Sequence, residues 1–323
     1  MMNLPNFIKL QNVQKDVDDL CNFLQDKISI KSQKSGAIVG LSGGIDSTVT
    51  MALCAKALGS DKTLGLTMFE KESNSSNKDL ISHIAQNYDI KIENIDITPI
   101  LESFGVYSNR EKIIKEKFSN FNSDCKYRVV VPPNFDSIGI PYLEILDDRN
   151  QNHKIKISSS DFLTLTAATS IKHRVRMILL YFHAEKNNLS VVGTTNKSEY
   201  MQGYFVKYGD GGSDIEPLVN LYKSQIYQIG SFLNVPEEIL SSEASPDVWS
   251  YSTTDEEFFY TVPYEIVDLI LYAREKNLSV MEIKKLSNLS EEKIQSLLRF
   301  QDIKQRKSQH MRDLPYEWKP NFI

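Results

Sequence analysis

The 323-residue chain is poor in several things at once, and each shortage removes a class of explanation. Its three cysteines, Cys21, Cys54 and Cys125, stand far apart with no CxxC pair. Neither a disulfide framework nor a zinc site is built that way, so they read as reduced, mostly buried thiols. No apolar run approaches the roughly 20 residues of a membrane-spanning helix. The opening MMNLPNFIKLQNVQKDV also lacks the basic, apolar, small-residue order of a secretory leader. A cytoplasmic location without a membrane partner is therefore expected. Basic surplus is missing too: 37 Lys and Arg face 42 Asp and Glu, a formal net charge of -5. A chain that grips a nucleic-acid backbone normally carries the opposite balance, so no nucleic-acid partner is expected. There is no internal repeat and no low-complexity tract. Two common phosphate signatures, GxxxxGK[ST] and GxGxxG, are absent. What remains is ample core-forming material, 41% hydrophobic residues, enough for one large α/β domain or two small ones.

Against that background LSGGIDS, residues 41–47, stands out. It follows the apolar run Ala37, Ile38, Val39 and precedes STVTMALCAKAL, whose apolar spacing is helical, so the stretch reads strand, loop, helix. Adjacent Gly43 and Gly44 let the backbone turn and approach a ligand with no Cβ in the way. Further along, 12–28 reads as an amphipathic helix, TLGLTMF (63–69) as a second strand, LISHIAQNYDI as a helix and KIENIDI as a third strand. This alternation favours a parallel sheet covered on both faces. Residues 105–160 break the rhythm with short β-like runs between Pro, Gly, Asp and Asn, and are expected to form an inserted hairpin or meander, a lid or dimer element. Helical order returns in ATSIKHRVRMILLYFHAEKN, then a buried strand LSVVGT, a helix LYKSQIYQIGSFLNV ending near Pro236, and a helical tail over about 256–323.

A glycine loop opening a helix is an anion site, because the first-turn N–H groups lack intrahelical partners and the helix dipole adds positive potential there. The motif SGGxDS resembles the phosphate loop of the N-type ATP pyrophosphatases, which split ATP into AMP and pyrophosphate while activating an oxygen as its adenylate. A longer stretch, VVGTTNKSEYMQGYFVKYGDGGSDIEPLVNLYKSQIY (191–227), resembles the signature of the ammonia-dependent NAD synthetase family. Supporting similarity runs through IKHRVRM (171–177) and 245–270, with 105–160 outside it.

The resemblance implies one doubly wound, mainly parallel α/β domain over 1–323, adenine nucleotide alpha hydrolase-like, with a helical C-terminal extension. It implies amidation of deamido-NAD to NAD through an acyl-adenylate, with ATP as co-substrate, Mg²⁺, and ammonia as the nitrogen source. Carried over by position, Ser42, Gly43, Gly44, Asp46, Ser47, Thr194, Lys223 and Ser245 would meet ATP. Asp46, Glu199 and Lys223 would be catalytic, with Asp46 and Glu199 holding magnesium. Arg174, Lys207, Asp214 and His310 would hold the acyl substrate. Each of these four also has a plain alternative, as a helix-surface ion pair, a solvated loop charge, a turn residue and a surface histidine respectively. The cluster Phe258, Phe259, Tyr260 and Tyr264 reads as core packing or as a stacking surface for a ring. The resemblance further implies a homodimer with substrate at or near its interface.

Some positions depart from the family pattern. Met311 stands where Lys is usual, Ser170 where Asn is, SSEASPD lacks the basic residue often found ahead of the Thr or Ser, and EEFFYTVPY lacks the usual Gly after its acidic run. These departures fall on the half of the site that greets the acyl substrate, so another carboxylate, such as nicotinate mononucleotide or a uronic acid-type metabolite, stays open beside deamido-NAD. Cys54 lies in the helix after the phosphate loop and reads as core, so ammonia is expected free or from a separate glutaminase.

Overall fold

The computed structural model describes residues 8–73, 77–131, 139–245 and 247–318. Parts of three expectations lie outside them: the start of the leader comparison (1–7), part of the inserted segment (132–138) and the end of the tail (319–323).

Helix α1 (Val13–Gln25) is N-capped by the Asn12 side chain, which accepts from the Lys15 N–H, and it buries Val17, Cys21 and Leu24 before a short wide turn. Strand β1 (Gly36–Gly40) leads through the glycine loop into α2 (Ile45–Leu58). Then follow β2 (Thr63–Phe69), α3 (Asn77–Tyr88), β3 (Lys91–Asp96), α4 (Thr98–Ser103) and α5 (Val106–Lys117). Strands β4 (Lys126–Val130), β5 (Tyr142–Leu146) and β6 (Asn152–Lys156) precede the long α6 (Ser159–Asn187) and β7 (Leu189–Val191). The remainder is helical: α7 (Lys197–Gln202), α8 (Lys223–Phe232), α9 (Glu237–Leu240), a wide turn Glu256–Tyr260, α10 (Tyr264–Glu275), α11 (Val280–Leu286), α12 (Glu291–Lys307) and α13 (Gln309–Arg312).

The main sheet is parallel throughout, in the order β3-β2-β1-β7. Its strands are near-continuous apolar runs because both faces are covered. On one face α1, α2 and α8 pack Leu24, Val49, Leu53, Ile226 and Ile229 against Ala37 and Val39. On the other, α4, α5 and α6 pack Leu101, Val106, Ala168 and Val175 against Ile38, Leu64 and Leu66. This is the doubly wound arrangement expected, and the C-terminal helices close their own core around Val267, Ile270, Ile283 and Ile294.

Two elements differ from the sequence reading. LSVVGT pairs as a strand only to Val191, after which Val192 bridges to Ile215 and the chain turns into the site. The segment 105–160 does hold a meander, the antiparallel β4-β5-β6, but it begins with α5. Val106, Tyr107, Arg110, Ile113 and Ile114 make a helical stripe there, disguised by the charged residues between them. All three cysteines are free and buried, and burial pushes the Cys54 thiol well up, which suits core and not a glutamine-attacking nucleophile. Among the described residues no helix is long and apolar enough to cross a membrane.

Candidate active site

The glycine loop lies at the carboxyl end of β1, where open parallel sheets bind ligands. Gly43 has φ +86°, a left-handed conformation that excludes most side chains, and Gly44 is the extended N-cap of α2 with no side-chain cap. Two hydroxyls brace the turn: Ser42 Oγ accepts from the Gly44 N–H at 3.2 Å, and Ser47 Oγ donates to the Gly44 carbonyl at 3.0 Å. With no cap of its own, the first turn of α2 keeps donors for an anion at the cavity that Ser42, Gly43, Gly44, Asp46 and Ser47 line.

Asp46 meets the second half of the site from this turn. Asn196, the cap of α7, donates through Nδ2 to Asp46 at 3.1 Å. The same side chain accepts from the Glu199 N–H at 2.9 Å, while Glu199 accepts from the Asn196 N–H at 3.0 Å. One asparagine therefore orients both carboxylates. The Lys223 ammonium, at the start of α8, pairs with Asp46. Burial pushes the Glu199 carboxyl well above the usual carboxylate range, and the charge of Asp46 adds to the effect. Burial alone would lower the Lys223 amine, but Asp46, Glu199 and Asp255 outweigh it and hold the amine above its ordinary value. Asp255, which the sequence reading passed over inside the run TTDEEFF, accepts from the Tyr204 and Tyr264 hydroxyls at 2.8 Å each.

This donor set suits magnesium. Two oxygen-bearing carboxylates face each other with one disfavoured as an anion, a conflict a hard divalent cation relieves, and magnesium takes the rest of its shell from phosphate and water.

Thr194 and Ser245 line the same cavity, which encloses about 1990 Å³. That is well beyond the roughly 300–1,000 Å³ of a site for one small ligand. The four residues expected on the acyl substrate are not brought into it. Helix α6 turns Phe162, Thr166, Thr169, His173, Arg176 and Leu180 to the cavity, a single helical face, and Arg174 lies on the exposed opposite side. Lys207 donates to the His310 and Asp313 carbonyls at 2.8 Å each, tying the C-terminal tail to the glycine-rich segment. Asp214 accepts from the Val191 N–H at 2.9 Å and from the Tyr181 hydroxyl at 3.0 Å, finishing the edge of β7. His310 is exposed and stays on α13, its ring nitrogen 3.0 Å from the Lys307 carbonyl. Within one copy of the chain Lys207, Asp214 and His310 have structural partners while Arg174 is simply exposed, and the cavity-facing cation of α6 is Arg176, held through Nε to the Met68 carbonyl at 3.4 Å.

Beneath the cavity runs a buried charge network that the sequence reading did not single out. Lys172 reaches Glu70 at 2.8 Å, Glu72 at 2.6 Å and the Val248 carbonyl at 3.2 Å. Arg110 reaches Glu72 at 2.8 Å and the Val248 carbonyl at 3.2 Å, with its guanidinium 4.4 Å from the Trp249 ring. Tyr107 donates to Glu70 at 2.7 Å and Tyr127 of β4 donates to Glu72 at 2.9 Å. Burial would raise Glu70, but Lys172 and the Tyr107 hydroxyl hold it below the usual range.

Behind the Thr194 turn, Glu216 approaches so closely that a Cβ on Gly193 would fall 2.2 Å from its Oε1. Ser213 donates to Oε1 at 2.6 Å, and burial raises the carboxyl to about 7. An acid raised on folding makes the native state bind more protons, so its contribution falls as pH climbs from about 4.3 towards 7. Glu216→Gln is therefore expected to flatten the loss of stability between pH 5 and pH 8 by on the order of 1–3 kcal/mol. Urea midpoints at the two pH values read this directly, and equal slopes for both proteins would remove the assignment.

The profile of the family described as NAD synthase matches residues 16–137 and 134–315. The NH(3)-dependent NAD(+) synthetase of Mesorhizobium japonicum is 34% identical over 308 residues, covering 94% of this chain and 96% of that protein. Among solved structures, an NMN synthetase from Francisella tularensis superposes with a TM-score of 0.65 at 25% identity, over 96% of this chain and 99% of its own. An NH3-dependent NAD synthetase from Campylobacter jejuni in complex with nitrate gives 0.63 at 25% identity, over 96% and 100%.

Proposed function

The chain belongs to the NAD synthase family of ATP-dependent amide ligases, and on that premise we propose that it converts deamido-NAD, ATP and ammonia to NAD, AMP and pyrophosphate. The observation that carries the proposal is the meeting of Asp46, Glu199 and Lys223 beside the glycine loop, from elements far apart in the chain.

In the proposed reaction the nicotinate carboxylate attacks the α-phosphorus of ATP. An acyl–oxygen–phosphorus link forms, the bond to the β-phosphate breaks, and pyrophosphate leaves. Ammonia then attacks the acyl carbon, loses a proton, and AMP departs. The first turn of α2 and the Ser42 and Ser47 hydroxyls receive the leaving phosphates. Lys223, paired with Asp46 before substrate arrives, is placed to share its charge with a phosphate oxygen. Asn196 keeps both carboxylates in register for the cation, and magnesium, when bound by them, supplies positive charge against the triphosphate. Free ammonia, or ammonia from a separate glutaminase, fits the buried state of Cys54.

A second acyl substrate, nicotinate mononucleotide, is favoured by one observation: Arg174, Lys207, Asp214 and His310 lie away from the cavity. Purified protein given ATP, magnesium and ammonium with either acid separates the two. NAD formed in step with AMP supports the first, NMN formed in step with AMP the second, and neither product under either acid overturns both substrates.

We also propose a homodimer. Leu163, Ile178 and Phe182 are 65%, 56% and 57% exposed, and with Arg174 they form one outward stripe of α6. Packing that stripe on a second copy would turn Arg174 towards the partner. Phe182→Asp is expected to halve the mass seen by sedimentation at micromolar concentration; wild-type protein that sediments as a monomer refutes the assembly.

A further inference from the structure

Two lysines on the C-terminal wall of the cavity have no anionic partner among the described residues. Phe300, Ile303, Lys304, Lys307, Ser308 and Met311 recur at helical spacing along α12 and into α13, and all of them line the cavity. The Lys304 amine donates to the Phe259 carbonyl at 2.7 Å and to Gln202 Oε1 at 3.1 Å. The rings of Phe259, Phe300 and Tyr260 stand 3.8, 4.6 and 5.5 Å from it. An ammonium has three donors, and two are used. Lys172 and Lys223, the fully buried lysines of this site, each rest on carboxylates. Among the described residues Lys304 has no such partner, and the Lys307 amine has neither a hydrogen bond nor an ion pair.

Enclosing an ammonium without a counter-charge is costly, and ring faces and carbonyl dipoles offset only part of that cost. We propose that Lys304 and Lys307 form a second anion subsite, which takes a phosphate group of the acyl nucleotide and lies apart from the glycine loop and Lys223. The subsite rests on the ligase reading given above. It gives the wall a reason to keep a cation unpaired: the missing anion arrives with the substrate.

Burial alone lowers the Lys304 amine, to about 7. The titratable groups around it are Tyr260 in its box, Glu199, Tyr204 and Asp255 on the same cavity, Lys307 on its own helix, and Arg312, which donates to Ser308 Oγ from α13. None of them pairs with it. Above neutrality the free protein therefore holds the amine largely uncharged, and an arriving phosphate draws a proton onto it. Acyl-substrate binding should take up protons at pH 8, and its affinity should fall from pH 7 to pH 9.

Titration calorimetry of the full chain at pH 8, in two buffers of different ionisation enthalpy, tests this with deamido-NAD, nicotinate mononucleotide and ATP as separate probes. Lys304→Met and Lys307→Gln are each expected to weaken the acyl nucleotide by about tenfold, the loss of one charge-assisted contact, and to leave ATP within twofold. Proton uptake should vanish in Lys304→Met. Lys304→Arg, which keeps the charge without titrating, should restore affinity but not uptake, and Lys307, being exposed, can be changed without threat to folding. Acyl binding at full strength in both variants, or an equal loss for ATP, overturns the subsite. If wild-type protein still forms the amide in that case, the proposed reaction stands; if it binds ATP but neither acyl nucleotide, the subsite and both proposed acyl substrates fall together.

Discussion

Glu199→Gln is expected to cut amide formation by about 10²–10³-fold while leaving the melting temperature unchanged or slightly raised. The substitution is nearly isosteric, and the amide oxygen can still accept from the Asn196 N–H, so α7 keeps its cap. What disappears is one of two facing negative charges. Because the fold already disfavours the charged carboxylate, the neutral amide costs the native state little. The proposed reaction has the opposite need, since there the carboxylate pair would offer magnesium its protein ligands against a triphosphate. Steady-state rates over a magnesium titration, set beside thermal melts, separate the two contributions. A variant within fivefold of wild type at every magnesium concentration would remove Glu199 from the chemistry.

Lys172→Met should do the reverse and act on the scaffold first. Two cations, Lys172 and Arg110, face two carboxylates, Glu70 and Glu72, with little or no water contact. Removing one cation leaves a buried negative charge that Arg110 cannot neutralise alone, a loss of about 3–5 kcal/mol. Set against the roughly 5–15 kcal/mol of a whole domain, that moves the denaturant midpoint far down. The sign with pH follows from Glu70: its depressed pKa contributes stability above the ordinary carboxylate range, lost as pH falls through the folded value. The wild-type network should therefore weaken in acid, and the variant should lose that part of its acid sensitivity. A midpoint shift below 1 kcal/mol would show that water or a neighbouring group replaces the ammonium.

Much of the fold was legible because local and global signals agree in it. The runs GAIVG and TLGLTMF are apolar on both faces, as central parallel strands must be, and paired glycines punctuate the first turn. The helix α5 was missed because SNREKIIKEK hides a narrow apolar stripe under charge. The glycine loop could be found from its place between a strand and a helix, whereas the two carboxylates were reached only through the family resemblance. The outer wall could not. Helix α6 has no single apolar face, with Leu165 and Val175 buried while Ile178 and Phe182 are exposed, so periodicity does not say which arginine faces inward. Asp255 and Lys304 acquire meaning only from tyrosines and rings brought in by distant elements.

The strand order also sets a clock. β1 finds β2 within a short stretch of chain, but its other neighbour, β7, arrives only after about 150 residues, a loop whose closure is slow and entropically costly. Asp46 belongs to the early partner and Asn196 with Glu199 to the late one. During refolding from denaturant, helical signal should return first and nucleotide affinity last, because the two halves of the anion site become neighbours only when the final parallel strand docks.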